Sequence, residues 1–235
     1  MSLRAVFFDY SGTLFRLEQD ASWLAGLTDG SGDPLTLEAQ TELLRRLTAP
    51  TGRVVEFEPE FQEAWDQRDL DPEMHRKSNI EVLRLSGVST AEQAEALYAR
   101  LVDPLSWTPY PDTAEVLRGL RDAGVGIGVI SNIAFDIRPA FEKLGVFDLV
   151  DEYLMSYVEG VIKPDPKLFL RACERLGVEP AEALMIGDSE EADGGAAAIG
   201  CAVSIVEPLP TAQRPDALLA AVAEHGVLPA SPAGA

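Results

Sequence analysis

Five short apolar runs, most with a helix-length segment behind them, limit the architectures open to this chain. They are Arg4–Phe8, Gly124–Ile130, Leu149–Ser156, Ala183–Ile186 and Ala202–Val206. The segments between them carry helix punctuation. Asp165-Pro166 reads as an N-cap with a first-turn proline, and Gly177 as the matching stop. Gly145 and Gly200 end two further helices in the same way. Strands alternating with helices of this length predict the α/β class, with a mostly parallel five-stranded sheet and helices on both faces.

The pattern changes between about Phe15 and Trp107, where strand signals fade and amphipathic helical segments take over. Leu37, Leu43, Leu44 and Leu47 mark one helical face, and Phe57, Phe61 and Trp65 another. Asp71-Pro72 opens a third helix. Ser89 with Glu92 forms a capping box for a fourth, whose buried side carries Leu97, Leu101 and Val102. The expected organisation is a core of residues 1–15 and 108–235, with residues 16–107 a helical cap over the sheet's C-terminal edge. The tail Pro229–Ala235 is small, Pro-rich and expected to fray.

Charge narrows the partners. With 39 acidic against 19 basic side chains the formal net charge is -20, a field that repels nucleic acid and anionic membranes. No apolar stretch approaches the roughly 20 residues needed to cross a bilayer. The two cysteines, Cys173 and Cys201, lack metal-ligand spacing and suit small buried thiols in a reducing compartment. A cytoplasmic protein handling a small ligand is expected, either monomer or homodimer.

Four short signals fall at strand ends or helix starts. Asp9-Tyr10-Ser11-Gly12-Thr13 follows the first strand and Ser131-Asn132 the second. Lys163-Pro164-Asp165-Pro166 precedes a helix; Gly187-Asp188-Ser189 follows the fourth strand, with Asp193 beyond it. An open α/β sheet presents its reactive groups at the strand C-termini. Asp9, Asp188 and Asp193 would repel one another in one cleft if all were ionised. A single lysine cannot neutralise them, whereas a hard, oxygen-seeking cation such as Mg²⁺ could. Taken singly, each signal has a plainer explanation: Asp9 as a helix cap, Ser131-Asn132 as a turn, Lys163 as a solvated loop lysine. Gly194-Gly195-Ala196-Ala197-Ala198 suits close helix packing better than a phosphate loop, because its glycines do not follow a strand.

The four motifs in this order resemble the haloacid dehalogenase-like hydrolase superfamily, and the resemblance covers nearly the whole chain. It implies a Rossmann-like core with a cap inserted after the first motif. It also implies Asp9 as nucleophile, with Asp9, Ser11 and Lys163 forming the catalytic set. Gly12, Thr13, Ser131, Asn132 and Lys163 become the implied phosphate contacts. Mg²⁺ would be held by Asp9, Ser11 through its carbonyl, Asp188 and Asp193. The implied activity is a Mg²⁺-dependent phosphatase acting on a small phosphorylated metabolite through an aspartyl-phosphate.

Ser11 departs from that pattern. Phosphatases of the family carry Asp two residues after the nucleophile, where it protonates the leaving group. Alternation puts position 11 on the same side as Asp9, with Tyr10 opposed. A serine hydroxyl is a poor proton shuttle near neutral pH, and general acid–base help is worth about 10²–10⁴ in rate. Three alternatives therefore stay open. One is a 2-haloacid dehalogenase, although that branch usually has Tyr at position 11 and uses no metal. Another is a phosphonatase-like enzyme drawing on Lys77. The third is a catalytically weak ligand-binding or regulatory protein. His75, Arg76, Lys77, Arg45, Arg46 and Arg53 are candidate anion contacts in the cap, each with a solvated helix face as its plainer reading. Trp23, Trp65 and Trp107 are expected to pack in the core.

Overall fold

A computed structural model describes residues 2–48 and 55–229; Arg53 and all but the first residue of the Pro229–Ala235 tail lie outside the described residues. Five parallel strands form the central sheet. They are β1 (Ala5–Phe8), β4 (Gly126–Ser131), β5 (Glu152–Met155), β6 (Ala183–Gly187) and β7 (Ala202–Ile205), in the order β5-β4-β1-β6-β7. Register runs Val6 beside Ile127 and Leu184, so β1 is paired on both edges. Strand alternation then decides which helices each side chain meets. Val6 and Phe8 share one apolar cluster with α5 (Thr113–Asp122), α6 (Arg138–Leu144) and α9 (Ala217–Glu224). Ala5 and Phe7 face the other way, onto α8 (Pro166–Leu176) and the 3₁₀ segment Asp193–Ile199. The expected α/β class is the fold observed.

Gly126 and Gly128 show why β4 alternates glycine with Val and Ile. A Cβ on Gly128 would lie 2.8 Å from the Phe7 ring, and one on Gly126 would lie 2.8 Å from Leu176. Bare backbone on this face lets Phe7 lie across β4, while Ile127 and Val129 fill the opposite core.

The third expected strand is shorter than its apolar run. Phe147–Leu149 closes into a 3₁₀ turn, and the Asp151 carboxylate takes the Ile127 N–H at 2.8 Å. Ser156 opens a short helix, α7 (Ser156–Glu159). Beyond β1 the chain forms β2 (Phe15–Arg16), which pairs antiparallel with β3 (Thr108–Pro109). This two-residue ribbon is too short to leave a periodic signal, and it joins the points where the helical insertion leaves and returns.

The insertion contains α1 (Leu37–Leu47), α2 (Pro59–Asp66), α3 (Pro72–Leu85) and α4 (Ala91–Leu101). Asp71 caps α3 as expected, accepting from Glu73 N and Met74 N. The cap of α4 falls one residue later than expected: the Thr90 side chain accepts from Gln93 N. Ser89 instead donates to the Thr28 carbonyl, tying the helix start to the preceding loop. Leu43, Leu47, Leu83 and Leu97 build the insertion's own apolar cluster, but Leu37 stands 80% exposed at the start of α1. Trp23 joins that cluster, and Trp107 packs against both it and the core; Trp107 and Trp65 also line the cavity described below.

Because the Phe7 ring already fills the space above Gly128, Gly128→Val should destabilise the protein by about 1–3 kcal/mol, the usual range for overpacking. Gly30→Ala, at a position with nothing within 4 Å, should stay within about 0.5 kcal/mol. Urea titration of both variants measures the difference.

Candidate active site

Asp9 leaves β1 with its N–H still bonded to the Ile186 carbonyl at 2.9 Å, so the sheet fixes its backbone. Its neighbour Tyr10 points the other way and is fully buried. The Tyr10 ring stacks on Phe15 at 5.0 Å and meets Trp107 at 5.2 Å. Aromatic pairs of this kind add about 0.5–1.5 kcal/mol each beyond area burial. Holding Tyr10 in the core turns Asp9 and Ser11 toward the cavity.

Lys163 lies across the sheet edge from Asp9. Its ammonium donates to Asp9 Oδ1 at 2.8 Å and to Asp193 Oδ1 at 2.6 Å, with the residue only 3% exposed. A charge this deep is tolerated only when paired. Burial by itself pushes the Lys163 ammonium toward neutrality. The Asp9 and Asp193 charges outweigh it and raise the group above its ordinary range. The Asp9 carboxyl is also raised, chiefly by burial and partly by Asp193, with Lys163 working against both.

Asp188 completes an acid cluster. Carboxylate oxygens of Asp9, Asp188 and Asp193 lie within 4.8 Å of one another. Burial, then the charges on Asp9 and Asp193, push the Asp188 carboxyl up to about 8. Its Oδ2 is buried without a hydrogen-bond partner. Asp193 is better held, since its Oδ2 accepts from Ser189 N at 3.0 Å. Three oxygen donors, one of them orphaned, and a single ammonium suit a small hard dication. The residues present fit Mg²⁺.

Glycines make this convergence sterically possible. A Cβ on Gly187 would fall 2.1 Å from the Asp193 carboxyl carbon, and one on Gly12 would fall 2.4 Å from Asp188 Oδ2. Gly12 also sits at a φ of 75°, the left-handed conformation of the turn behind Asp9. Gly195 admits Pro164, with a would-be Cβ at 2.5 Å, so the segment after Asp193 packs against the loop carrying Lys163 at this one glycine.

Asp9, Ser11, Gly12, Ser131, Asn132, Lys163, Asp188 and Asp193 all line one cavity of about 490 Å³. Thr13 is not among the lining residues. It is fully buried and its hydroxyl has no partner, because the tight turn carries it beneath the site. The phosphate contact expected of Thr13 is therefore not where the structure puts it. Asn132 reaches the cavity but is already engaged. Its amide donates to the Lys163 carbonyl at 2.9 Å and accepts from Lys163 N at 2.7 Å. It positions the lysine loop.

The insertion supplies the opposite wall, with Arg46, Trp65, Arg68, Asp69, His75 and Asn79. Of the cap cations considered from sequence, only Arg46 and His75 among the described residues reach the cavity. Arg45 pairs with Glu42 at 2.7 Å, Arg76 with Glu95, and Lys77 lies 5.2 Å from the Phe61 ring centre. His75 is pushed down to about 4 by burial and by Arg68, and its Nδ1 lies 3.0 Å from the Tyr98 hydroxyl. It is neutral at physiological pH.

Sequence reasoning missed two residues that hold the site together. Arg214 is buried over the Tyr110 ring and donates to the carbonyls of Gly12, at 2.7 Å, and Thr13. It clamps the turn behind Asp9 from two hundred residues away. Ser156, also buried, accepts from Ile133 N at 2.9 Å and donates to the Asp69 carbonyl, joining core to insertion. Neither has a local motif.

Comparison with known proteins places these features. The mouse haloacid dehalogenase-like hydrolase domain-containing protein 3 is 34% identical over 143 residues, 57% of each chain. Glyceraldehyde 3-phosphate phosphatase from Methanopyrus kandleri is 38% identical over 86 residues, 36% of this chain and 37% of that one. The matched regions thus span 57% and 37% of the length of these two curated relatives. Among solved structures, a HAD phosphatase from Thermococcus onnurineus superposes with a TM-score of 0.57 at 28% identity, covering 87% of this chain and 86% of that one. Residues 3–200 match the family of haloacid dehalogenase-like hydrolases, and with most of its length accounted for the chain belongs to that family.

Proposed function

We propose that the protein is a Mg²⁺-dependent phosphatase of small phosphorylated metabolites, with residues 1–15 and 108–235 as catalytic core and 16–107 as cap. The observation that carries this reading is the buried Asp9–Lys163–Asp193 arrangement beside the orphaned Asp188 oxygen. Asp9, Asp188 and Asp193, with the Ser11 carbonyl, would hold the cation. When bound, Mg²⁺ would supply positive charge to the phosphoryl oxygens and offset the excess of carboxylates.

In this mechanism Asp9 attacks phosphorus, and hydrolysis is split into two easier steps through an aspartyl-phosphate. Lys163 holds the nucleophile at 2.8 Å and adds fixed positive charge beside the transferring group. Ser131, at the buried end of β4, and Gly12, in the turn, complete the phosphate side of the cavity. Asn132 keeps Lys163 in place through the two ends of its amide. The similarity to glyceraldehyde 3-phosphate phosphatase supports a phosphate ester as substrate.

Ser11 favours a second reading. A halide leaving group needs no proton, so a 2-haloacid dehalogenase would not miss the acid at this position. The three-carboxylate cluster weighs against it, since carboxylates gathered without a cation would repel the anionic substrate. Halide release from 2-chloropropionate in the presence of chelator is the observation that would favour dehalogenation instead.

Three outcomes test the phosphatase reading. Asp9→Asn should lower phosphate release from aryl and acyl phosphates by about 10³-fold or more, the scale on which losing a nucleophile acts. Activity unchanged by that substitution would remove Asp9 from the chemistry. Adding Mg²⁺ to chelated protein should raise the thermal midpoint and restore turnover, whereas Asp188→Asn should blunt both responses. Asn132→Ala should leave the fold intact and reduce kcat by about 10–10²-fold, as expected when a catalytic group is displaced by a fraction of an ångström to one ångström.

A further inference from the structure

We propose that Asp69, on the loop between α2 and α3, is the proton donor and acceptor of the phosphatase reaction. The inference rests on the phosphatase reading of the Asp9 site and adds the catalytic group that Ser11 leaves missing. An alkyl phosphate expels an alkoxide, which needs a proton as the P–O bond breaks. The carboxylates of the acid cluster are committed to Lys163 and to the cation position, so the donor must come from elsewhere on the cavity wall.

Among the described residues lining the cavity, the other titratable groups with suitable chemistry are Asp66, Asp69, His75 and Glu191. Asp66 and Glu191 are exposed, and the Asp66 carboxylate accepts from Gln62 Nε2 at 2.7 Å. His75, pushed down to about 4, has no proton to give near neutral pH. Of the three acids, Asp69 alone is both shielded, with its side chain 20% exposed, and fixed in position. Leu70 N and Asp71 N both donate to the Gln67 carbonyl, at 2.9 and 3.2 Å, closing the loop into a turn. Ser156 of the core takes the Asp69 carbonyl and ties that turn to the segment after β4. Catalytic groups need such support from outside their own element. Asp69 thus belongs to the insertion by sequence, yet its backbone is held by the core.

The charged groups facing Asp69 are Arg68 of its own loop, at 3.3 Å from Oδ2, and Lys163 of the core. Arg68 is itself held, lying 4.1 Å over the Trp65 ring and donating to the Trp65 carbonyl at 2.7 Å. Burial raises the Asp69 carboxyl above the ordinary range despite both cations, which favours the protonated form that a donor requires.

The steps balance without any further reagent. As the Asp9 carboxylate oxygen bonds to phosphorus, the bond to the leaving oxygen breaks and the Asp69 proton passes to that oxygen, releasing an alcohol. In the second step Asp69, now a carboxylate, takes a proton from water. The water oxygen bonds to phosphorus and the P–O bond to Asp9 breaks. Phosphate leaves, and both side chains return to their starting states.

Rapid-mixing kinetics on p-nitrophenyl phosphate and on a panel of alkyl phosphates, with Mg²⁺ present, test the role. The nitrophenolate leaving group needs no proton, so Asp69→Asn should still release one burst equivalent per active site at the wild-type rate. Steady turnover should then fall about 10²–10⁴-fold, because water is no longer activated, and alkyl phosphates should give no burst. Asp69→Glu, which keeps the carboxyl, should retain turnover at least tenfold above Asp69→Asn. The burst amplitude counts folded sites, so misfolding is not mistaken for lost chemistry. A burst slowed in step with turnover would assign Asp69 a structural part and overturn the proposal, as would turnover unaffected by Asp69→Asn. Wild-type protein that hydrolyses p-nitrophenyl phosphate but no alkyl ester would also overturn it. Wild-type protein inert toward every phosphate would instead sink the phosphatase reading beneath it.

Discussion

The ammonium of Lys163, buried between Asp9 and Asp193, is the interaction on which the rest of the site depends. Burying one charge costs several kcal/mol after relaxation, and only close opposite charges repay it. Two carboxylates meet that need and leave a negative remainder, to which Asp188 adds. The site is thus built around a deficit of positive charge. The sheet order fixes who takes part: β1 lies between β4 and β6, so the chain emerging from these three strands delivers Asp9, Ser131-Asn132 and Asp188 to one rim.

Bringing these acids so close depends on what is absent from the backbone as much as on what is present. Gly12 yields to Asp188, Gly187 to Asp193, and Gly195 to Pro164. Each glycine lies on a different segment, and each removes a Cβ from a contact that could not otherwise form. Asn132 and Arg214 then lock segments whose own sequences do not hold them. One spans both backbone groups of Lys163, and the other grips two successive carbonyls behind Asp9. Polar networks buried in this way rigidify a site only when nearly every member is satisfied. Among the unpartnered buried atoms of the described residues, the Asp188 oxygen is the one that belongs to the acid cluster, and it calls for a ligand.

Much of this was legible from residues alone, for a local reason. Strand length, helix stops such as Gly145 and Gly177, and an acid directly after an apolar run are written within a few residues of one another. The alternation of Tyr10 against Asp9 and Ser11 could be read the same way. What escaped lies in long-range pairing or single-residue register. The Arg214 clamp joins positions 202 and 201 residues apart, and the Ser156 latch spans 87. Neither leaves a period or a spacing. The helix cap falls on Thr90 instead of Ser89, although serine is the better cap by type, while the Ser89 hydroxyl is engaged with the Thr28 carbonyl. Thr13 shared the chemistry of a phosphate contact with its neighbours, but the turn at Gly12 carries it under the site.

The cavity itself is a joint product of two separately packed bodies of side chains. The sheet and its helices have their own apolar clusters, and the insertion has another around Leu43, Leu83 and Leu97. The β2–β3 ribbon joins them covalently, and the Tyr10, Phe15 and Trp107 rings pack across that joint. Ser156 adds a polar tie at the carbonyl of Asp69. The 67–71 turn is therefore held by the core as well as by its own hydrogen bonds to the Gln67 carbonyl. The helical wall beyond it is held by the insertion's own apolar cluster. That division separates reacting groups, which tolerate displacements well below one ångström, from surfaces that need only match a shape.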